Sequence, residues 1–238
     1  MYLSVIIPAY NEAQRIGKTL DAVKAYLNQQ SYDWEVIVVN NNSSDDTADV
    51  IRRYMLHDSR YTVIDEPKQG KGYAVQTGML AAGGDFRLFT DADNSTGIEH
   101  VERMLTYARS GYDVVIGSLA VKGAHVIRGE PFYRVLFGKM GNKFIQLVAV
   151  WGISDTQRGF KLFTARAAQA IFPMLTIFGW GFDVEVLALA RKFRFTIKEV
   201  GVNWNNDPNS KVNMWAYPQV LLQTLKIRWN LMTNKYKT

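Results

Sequence analysis

Asp91-Ala92-Asp93 closes an apolar run, Phe86 to Thr90, with two carboxylates at positions i and i+2. Like charges this close repel in a dry site, and a divalent cation relieves the repulsion. An all-oxygen donor set suits Mg²⁺ or Mn²⁺, with substrate phosphates and water filling the remaining positions. The same residues also fit a plain turn in which one aspartate caps the next helix. Gly70-Lys71-Gly72 leads into a helical pattern. Backbone amides of such a loop, with the Lys71 ammonium, can hold a diphosphate, although Gly-Lys-Gly is also an ordinary exposed turn. It is not a Walker loop, because the four-residue spacer and the following Ser/Thr are missing.

Other chemistries find less support. There are no cysteines, which excludes a thiol nucleophile, a thiolate zinc site and a disulfide scaffold. His57, His100 and His125 are scattered and read as solvated surface histidines. No Gly-x-Ser-x-Gly elbow surrounds Thr90, Ser95 or Ser118. With 238 residues, 47% of them hydrophobic, the chain can bury one large α/β core, so disorder is excluded. A net charge of +6 and a pI near 9.4 suit an anionic partner as well as ordinary solubility.

The elements that must position these residues alternate through the first half. Apolar runs at Leu3 to Ile7, Glu35 to Val39, Tyr61 to Ile64, Phe86 to Thr90 and Val114 to Ile116 read as buried strands. Helical patterns separate them: Ile16 to Leu27, a stretch through Val50, Ile51 and Tyr54, Ala74 to Ala82, and Ile98 to Ala108. The alternation predicts a mostly parallel sheet covered on both faces. Ligands of such sheets lie beyond the carboxyl ends of the strands. Pro8 to Glu12, Asn40 to Asp46, Asp91 to Asn94 and Gly117-Ser118 should therefore converge at one edge. In the second half, Phe132 to Trp151, Asp183 to Phe193 and Met214 to Thr238 are helical in pattern, Thr156 to Phe163 is loop or strand, and Phe195 to Val202 is strand-like. Met1 to Val5 enters a strand with no basic leader, and no run is long and apolar enough to span a bilayer, so an intracellular protein is expected.

Taken together, the motifs resemble those of family-2 glycosyltransferases. Ser4-Val5-Ile6-Ile7-Pro8-Ala9-Tyr10-Asn11-Glu12 is similar to their opening strand, and Val38 to Thr47 to their nucleotide loop. Gly70-Lys71-Gly72 and Asp91-Ala92-Asp93 follow in the expected order. Asp155 to Phe163, Phe182-Asp183-Val184-Glu185, and Val202-Asn203-Trp204 with Ser210-Lys211 resemble the branch that glucosylates dolichyl phosphate, close to the dolichol-phosphate mannose synthases.

The resemblance implies an α/β GT-A fold over 1–212, with a nucleotide-sugar half at 1–118 and an acceptor half at 119–212, followed by an amphipathic basic helix at 213–238. It implies a metal-dependent, inverting transfer of a sugar from a nucleotide sugar to a polyprenyl phosphate, with glucose and UDP favoured. Pro8, Tyr10, Asn11 and Glu12 would frame base and ribose, and Asn40, Asn41 and Ser43 would meet the base. Gly70 and Lys71 would approach the diphosphate, and Asp91 and Asp93 would hold Mg²⁺ or Mn²⁺. Asp155, Gln157 and Lys161 would line the sugar and diphosphate cleft. Three departures stand out: Asn40 and Asn41 replace the usual Asp, Leu119 stands where Arg often follows Gly-Ser, and Phe178-Gly179-Trp180-Gly181 lacks another expected Arg. Acceptor phosphate then falls to Arg128, Arg134, Ser118 and Lys211.

A lipid acceptor implies contact with a membrane surface and a peripheral, cytoplasmic-side placement. Two helical stripes mix apolar and basic residues as interfacial helices do. In one, Tyr133, Leu136, Phe137, Met140, Phe144, Leu147, Val148 and Trp151 are interleaved with Arg134, Lys139 and Lys143. In the other, Trp215, Leu222, Leu225, Trp229 and Met232 lie among Lys226 and Arg228. Packing onto the domain would equally explain an apolar stripe. A glycosyltransferase with a soluble or glycan acceptor, and a non-catalytic nucleotide-sugar binder, stay open. A nucleic-acid module is not supported, because no recognised motif accompanies the charge.

Overall fold

The structure is a computed structural model that describes residues 1–128, 132–205 and 216–236, with side chains at all of these except 128, 132–137 and 216. Strands β1 (Leu3–Ala9), β2 (Trp34–Asn40), β3 (Tyr61–Asp65), β4 (Phe86–Thr90), β5 (Val114–Ser118), β7 (Phe160–Thr164) and β8 (Ile197–Gly201) form one sheet in the order β3-β2-β1-β4-β7-β5-β8. Every pairing is parallel except those of β7, which runs antiparallel between β4 and β5. The mostly parallel sheet expected from the alternation is present. The antiparallel insertion, which brings the 155–160 loop beside the end of β4, was not foreseen. Strand β6 (His125–Arg128) pairs with β9 (Asn203–Asn205) in a separate two-stranded ribbon.

The period-two side-chain rule splits each central strand between two cores. In β1, Leu3, Val5, Ile7 and Ala9 point into one core, and Ile6 into the other. The first core packs under α1 (Ile16–Leu27) and α4 (Val101–Arg109). The second is covered by α3 (Lys71–Ala81), α6 (Ala165–Ile171), α7 (Phe182–Lys192), α5 (Phe132–Val148) and α8 (Ala216–Met232). Helix α2 (Thr47–His57) follows β2 and contributes Ile51 to the first core.

The sheet runs unbroken past residue 118, so both halves of the chain share it. Residue 213 falls outside the described residues. Beyond it, α8 lends Val220 and Ile227 to the second core, as does Tyr236 just after it.

Helices α1, α4, α5 and α7 start and end within three residues of the sequence patterns, whereas α8 stops at Met232, short of the expected end at Thr238, and α6 had no counterpart in them. A further difference is α3, which starts on Lys71 itself, so the Gly-Lys-Gly loop is the first turn of the helix. Another is Gly117-Ser118, which remains paired with β8 and does not form a strand-exit loop. Three strand exits turn on asparagines with left-handed backbone: Asn11 (φ 52°), Asn42 (φ 55°) and Asn94 (φ 53°). Asparagine tolerates that region better than other side chains with a Cβ.

Candidate active site

The strand exits meet in a pocket of 410 Å³ at the carboxyl edge of β1, β2 and β4. Pro8, Ala9, Tyr10 and Glu12 come from the end of β1, and Asn41 from the end of β2. Gln69, Gly70 and Lys71 come from the start of α3, and Asp91 to Asp93 from the end of β4. Gly179 and Trp180 close the far wall.

Main-chain contacts join these exits. The Asn41 amide donates to the Ala9 carbonyl at 2.8 Å, and the Asp91 amide to the Gly159 carbonyl at 3.1 Å. The Glu12 amide donates to the Thr47 hydroxyl at 2.7 Å, and the Thr19 hydroxyl to the Ala92 carbonyl at 2.7 Å. A Cβ on Gly159 would run into the Asp91 carboxylate, which would then have to shift.

The pocket's electrostatics centre on Asp91, Asp93 and Lys71. Burial raises the Asp93 carboxyl above the ordinary carboxylate range, and the neighbouring Asp91 adds to the rise. Lys71 forms an ion pair with Asp91. Burial alone would lower the Lys71 ammonium, but Asp91, Asp183 and Asp93 outweigh it and hold its value raised. Two crowded oxygen donors beside an ammonium that supplies their countercharge fit a hard divalent cation completed by phosphate and water. Among the described residues, no group of three or more acidic or histidine side chains forms a protein-only metal cage.

Several expected site residues do other work. Asn40 does not reach the pocket: its Nδ2 donates to Asp65 at 2.7 Å, and its Oδ1 accepts from the Ser43 amide at 3.3 Å. Asn41 lines the pocket, but its carboxamide is spent on the chain, donating to the Lys68 carbonyl at 2.7 Å and accepting from the Gly70 amide at 2.8 Å. The two Asn-for-Asp departures have a local cause. An aspartate at 40 would face the Asp65 carboxylate, and one at 41 would face a carbonyl, with no proton to donate. Asn11 and Ser43 build the loop: the Asn11 amide donates to the Ser43 hydroxyl at 3.0 Å, and Asn11 Oδ1 accepts from the Ser44 amide at 2.8 Å.

Lys161 is fully buried and does not line the cleft. Its ammonium pairs with the buried Asp183 at 2.5 Å, and burial pushes its affinity for a proton down. Ser118 is fully buried, and its hydroxyl accepts from the Ala120 amide at 3.1 Å, so it offers no surface to an acceptor phosphate. Asp155 brackets two loops, accepting from the Leu119 amide at 2.9 Å and from Arg158 at 3.2 Å. Gln157 does not line the pocket, and its amide lies 3.5 Å from the carbonyl of Trp180, which does. His100 is not solvated, because its Nε2 accepts from the Asn203 amide at 3.0 Å; His57 and His125 are exposed as expected. The side chains of Arg128 and Arg134, and all of Lys211, lie outside the described residues.

Three site features escaped the motif reading. Arg15 lines the pocket and grips Glu12 with two hydrogen bonds. Its signal was the i,i+3 spacing from Glu12 at a helix start. Trp180 was visible only as part of a departure from the family pattern. Asp183 stood in a quoted motif, but its pairing with Lys161 depends on β7 and α7 meeting.

Residues 4–172 match the family model described as glycosyl transferase family 2. A dolichyl-phosphate beta-glucosyltransferase of Trichomonas vaginalis is 35% identical over 95% of this chain and 71% of its own length. The Homo sapiens protein of that name is 33% identical over 99% of this chain and 77% of its own. Among solved structures, glucosyl-3-phosphoglycerate synthase from Mycobacterium tuberculosis, in complex with Mn²⁺, uridine diphosphate and phosphoglyceric acid, superposes with a TM-score of 0.72. It covers 95% of this chain and 78% of its own at 17% identity, a likeness of fold.

Proposed function

The chain belongs to glycosyl transferase family 2, and from that membership we propose that it transfers glucose from UDP-glucose to the phosphate of a dolichyl-type polyprenyl lipid, with inversion at the anomeric carbon. One observation carries the reading. Lys71 and the Asp91-Ala92-Asp93 turn, separate in sequence, share one pocket with the ends of β1 and β2, in a chain about a third identical along most of its length to proteins named dolichyl-phosphate beta-glucosyltransferase.

In this reading Asp91 and Asp93 hold Mg²⁺ or Mn²⁺. When bound, the cation supplies Lewis-acid stabilisation to the departing diphosphate. Lys71 is placed to exchange Asp91 for a diphosphate oxygen, and Arg15 brings a second cation to the same wall. Pro8, Tyr10, Glu12 and Asn41 frame the nucleoside end. The acceptor phosphate is an anion at neutral pH, so no side chain has to remove a proton from it. Its oxygen bonds to the anomeric carbon from the face opposite the breaking bond to the diphosphate. Arg128, Arg134 and Lys211 remain the proposed acceptor-phosphate contacts, by guanidinium forks and an ammonium matched to phosphate oxygens.

The acceptor's lipid tail suits the outer face of α5 and α8. Leu222, Leu225, Trp229 and Met232 are all at least half exposed along one stripe of α8, while Val220, Thr224 and Ile227 face inward. Met140, Leu147 and Trp151 are exposed on and after α5, with Lys139, Lys143, Lys226 and Arg228 also exposed nearby in sequence. No helix among the described residues is long and apolar enough to cross a membrane. A peripheral placement on the cytoplasmic leaflet, with this face in the headgroup region, fits that pattern.

The test is transfer of radiolabelled glucose from UDP-glucose into organic-extractable lipid with dolichyl phosphate and Mn²⁺. Transfer is expected in the wild-type protein, with a loss of about a hundredfold or more in Asp93→Asn. Transfer only to water-soluble acceptors would replace the lipid reading, and an unimpaired Asp93→Asn would remove the metal role.

A further inference from the structure

We propose that Gln223, on the C-terminal helix, is a positioning residue of the nucleotide pocket. It acts through the 178–181 loop on the turn that carries Lys71, and the inference rests on the nucleotide reading above. The family match ends at residue 172, yet Gly179 and Trp180 form a wall of the pocket. Residues of the matched region touch that wall from the pocket side, and α8, outside the match, touches it from behind.

On its outer side the loop is fitted to α8. The Gly181 amide donates to Gln223 Oε1 at 2.7 Å. A Cβ on Gly181 would lie 2.7 Å from that oxygen and 2.9 Å from Gln223 Cβ, and one on Gly179 would lie 2.9 Å from Gln223 Nε2. Gly181 has φ −89°, a conformation open to any residue. Its lack of a side chain is set by the Gln223 side chain and not by the backbone.

On its inner side the same loop is fitted to the Lys71 turn. The Phe178 carbonyl accepts from the Gly72 amide at 3.0 Å. A Cβ on Gly72 would lie 2.7 Å from Phe178 Cα, and one on Gly70 2.7 Å from Phe178 O. The Phe178 ring stacks on Tyr73 with centroids 3.7 Å apart and planes 4° from parallel. The loop is in direct contact on both sides, with the Gln223 side chain outside and with the Gly70–Gly72 backbone and the Tyr73 ring inside, so a shift of α8 against the loop is passed to Gly70-Lys71-Gly72. Upstream, the buried Glu185 accepts from the Thr176 and Ile177 amides at 2.9 and 2.7 Å and from the Tyr236 hydroxyl at 2.6 Å. That clamp fixes the loop's entry, and Gln223 holds its pocket end from the α8 side. Gln223 itself does not line the pocket.

The experiment compares the full-length wild type, Gln223→Ala, Gln223→Glu and Gly181→Ala. Amide hydrogen exchange is followed without ligand, and UDP titration with Mn²⁺ and steady-state kinetics follow. Gln223→Ala is expected to speed exchange at Gly181 and, through Phe178, at Gly72. It should weaken UDP roughly two- to tenfold, the span of one hydrogen bond's net worth, and raise KM for the nucleotide sugar more than it lowers kcat. Gln223→Glu keeps an acceptor oxygen at the same reach and should restore both readouts. Gly181→Ala, which pushes the loop off α8 with Gln223 intact, should reproduce the defect. Unchanged Gly72 exchange and UDP affinity in Gln223→Ala and Gly181→Ala would overturn the proposal. A wild-type protein that binds no UDP overturns the nucleotide reading instead, and exchange at Gly72 still decides the relay.

Discussion

Lys161 and Asp183 show how a motif residue can pair away from the pocket it was expected to line. The pair is buried between β7 and α7, and the Asp183 charge also acts on Lys71. Removing one partner leaves the other charge uncompensated in a dry setting, which costs far more than the pair contributes when intact. Lys161→Met should therefore lower the unfolding free energy by about 3 kcal/mol or more in denaturant titration. Replacing both partners with apolar residues of similar size should recover much of that loss. A stable Lys161→Met protein that has lost only activity would return Lys161 to direct contact with the substrate. The asparagines at 40 and 41 make a related point. They departed from the family's acidic pattern because their neighbours, Asp65 and the Lys68 carbonyl, require donors.

At the scale of elements, the pocket depends on strand exits held in register by helices that pack well away from it. Asp58, just after α2, is one such tie. Arg60 pairs with it at 2.8 Å and stacks on Trp34 of β2 at 3.8 Å, and Lys24 of α1 approaches it at 3.4 Å. Hydrogen bonding to Arg60 leads the effects that hold the Asp58 carboxyl down at about 2. The folded value lies below the unfolded one, so this stabilisation is complete above the unfolded value near 4 and is lost as pH falls toward 2. Asp58→Asn should cost up to about 2 kcal/mol at neutral pH and almost nothing near pH 2. Thermal unfolding across that range checks it, and an equal loss at both ends would point to a packing defect. These elements were legible because hydrophobic periodicity survives without tertiary context. Thr156 to Phe163 read as loop or strand, and the antiparallel direction of β7 was not legible because Phe160 to Thr164 carries the same apolar pattern whichever way it runs.

For the whole molecule, α8 carries two different surfaces. Its inner face completes the second core and steadies the pocket loop, and its outer stripe leaves Leu225 and Trp229 at least half exposed. In the proposed reading this outer stripe meets a lipid surface. A Leu225→Gln/Trp229→Gln protein should bind vesicles of anionic phospholipid about tenfold or more weakly in co-sedimentation, from the apolar area lost to the bilayer. Its unfolding midpoint should change little, because neither side chain supports the core. Equal binding by the variant would show that cations alone carry the attachment.

By itself the sequence determined the alternation of buried strands and helices, the order of the motifs, and the residue types at the ends of β1 and β4. Those follow from periodicity, turn chemistry and spacing, which are properties of neighbours in the chain. Only the tertiary structure decided which of those residues reach the pocket. Asn40, Ser118 and Lys161 turn inward to satisfy polar partners brought to them by β3, the turn after β5, and α7. Arg15 and Trp180 line the pocket. A buried polar group must find its partner across the fold, and sequence spacing carries no record of distances between segments that meet only when the sheet closes.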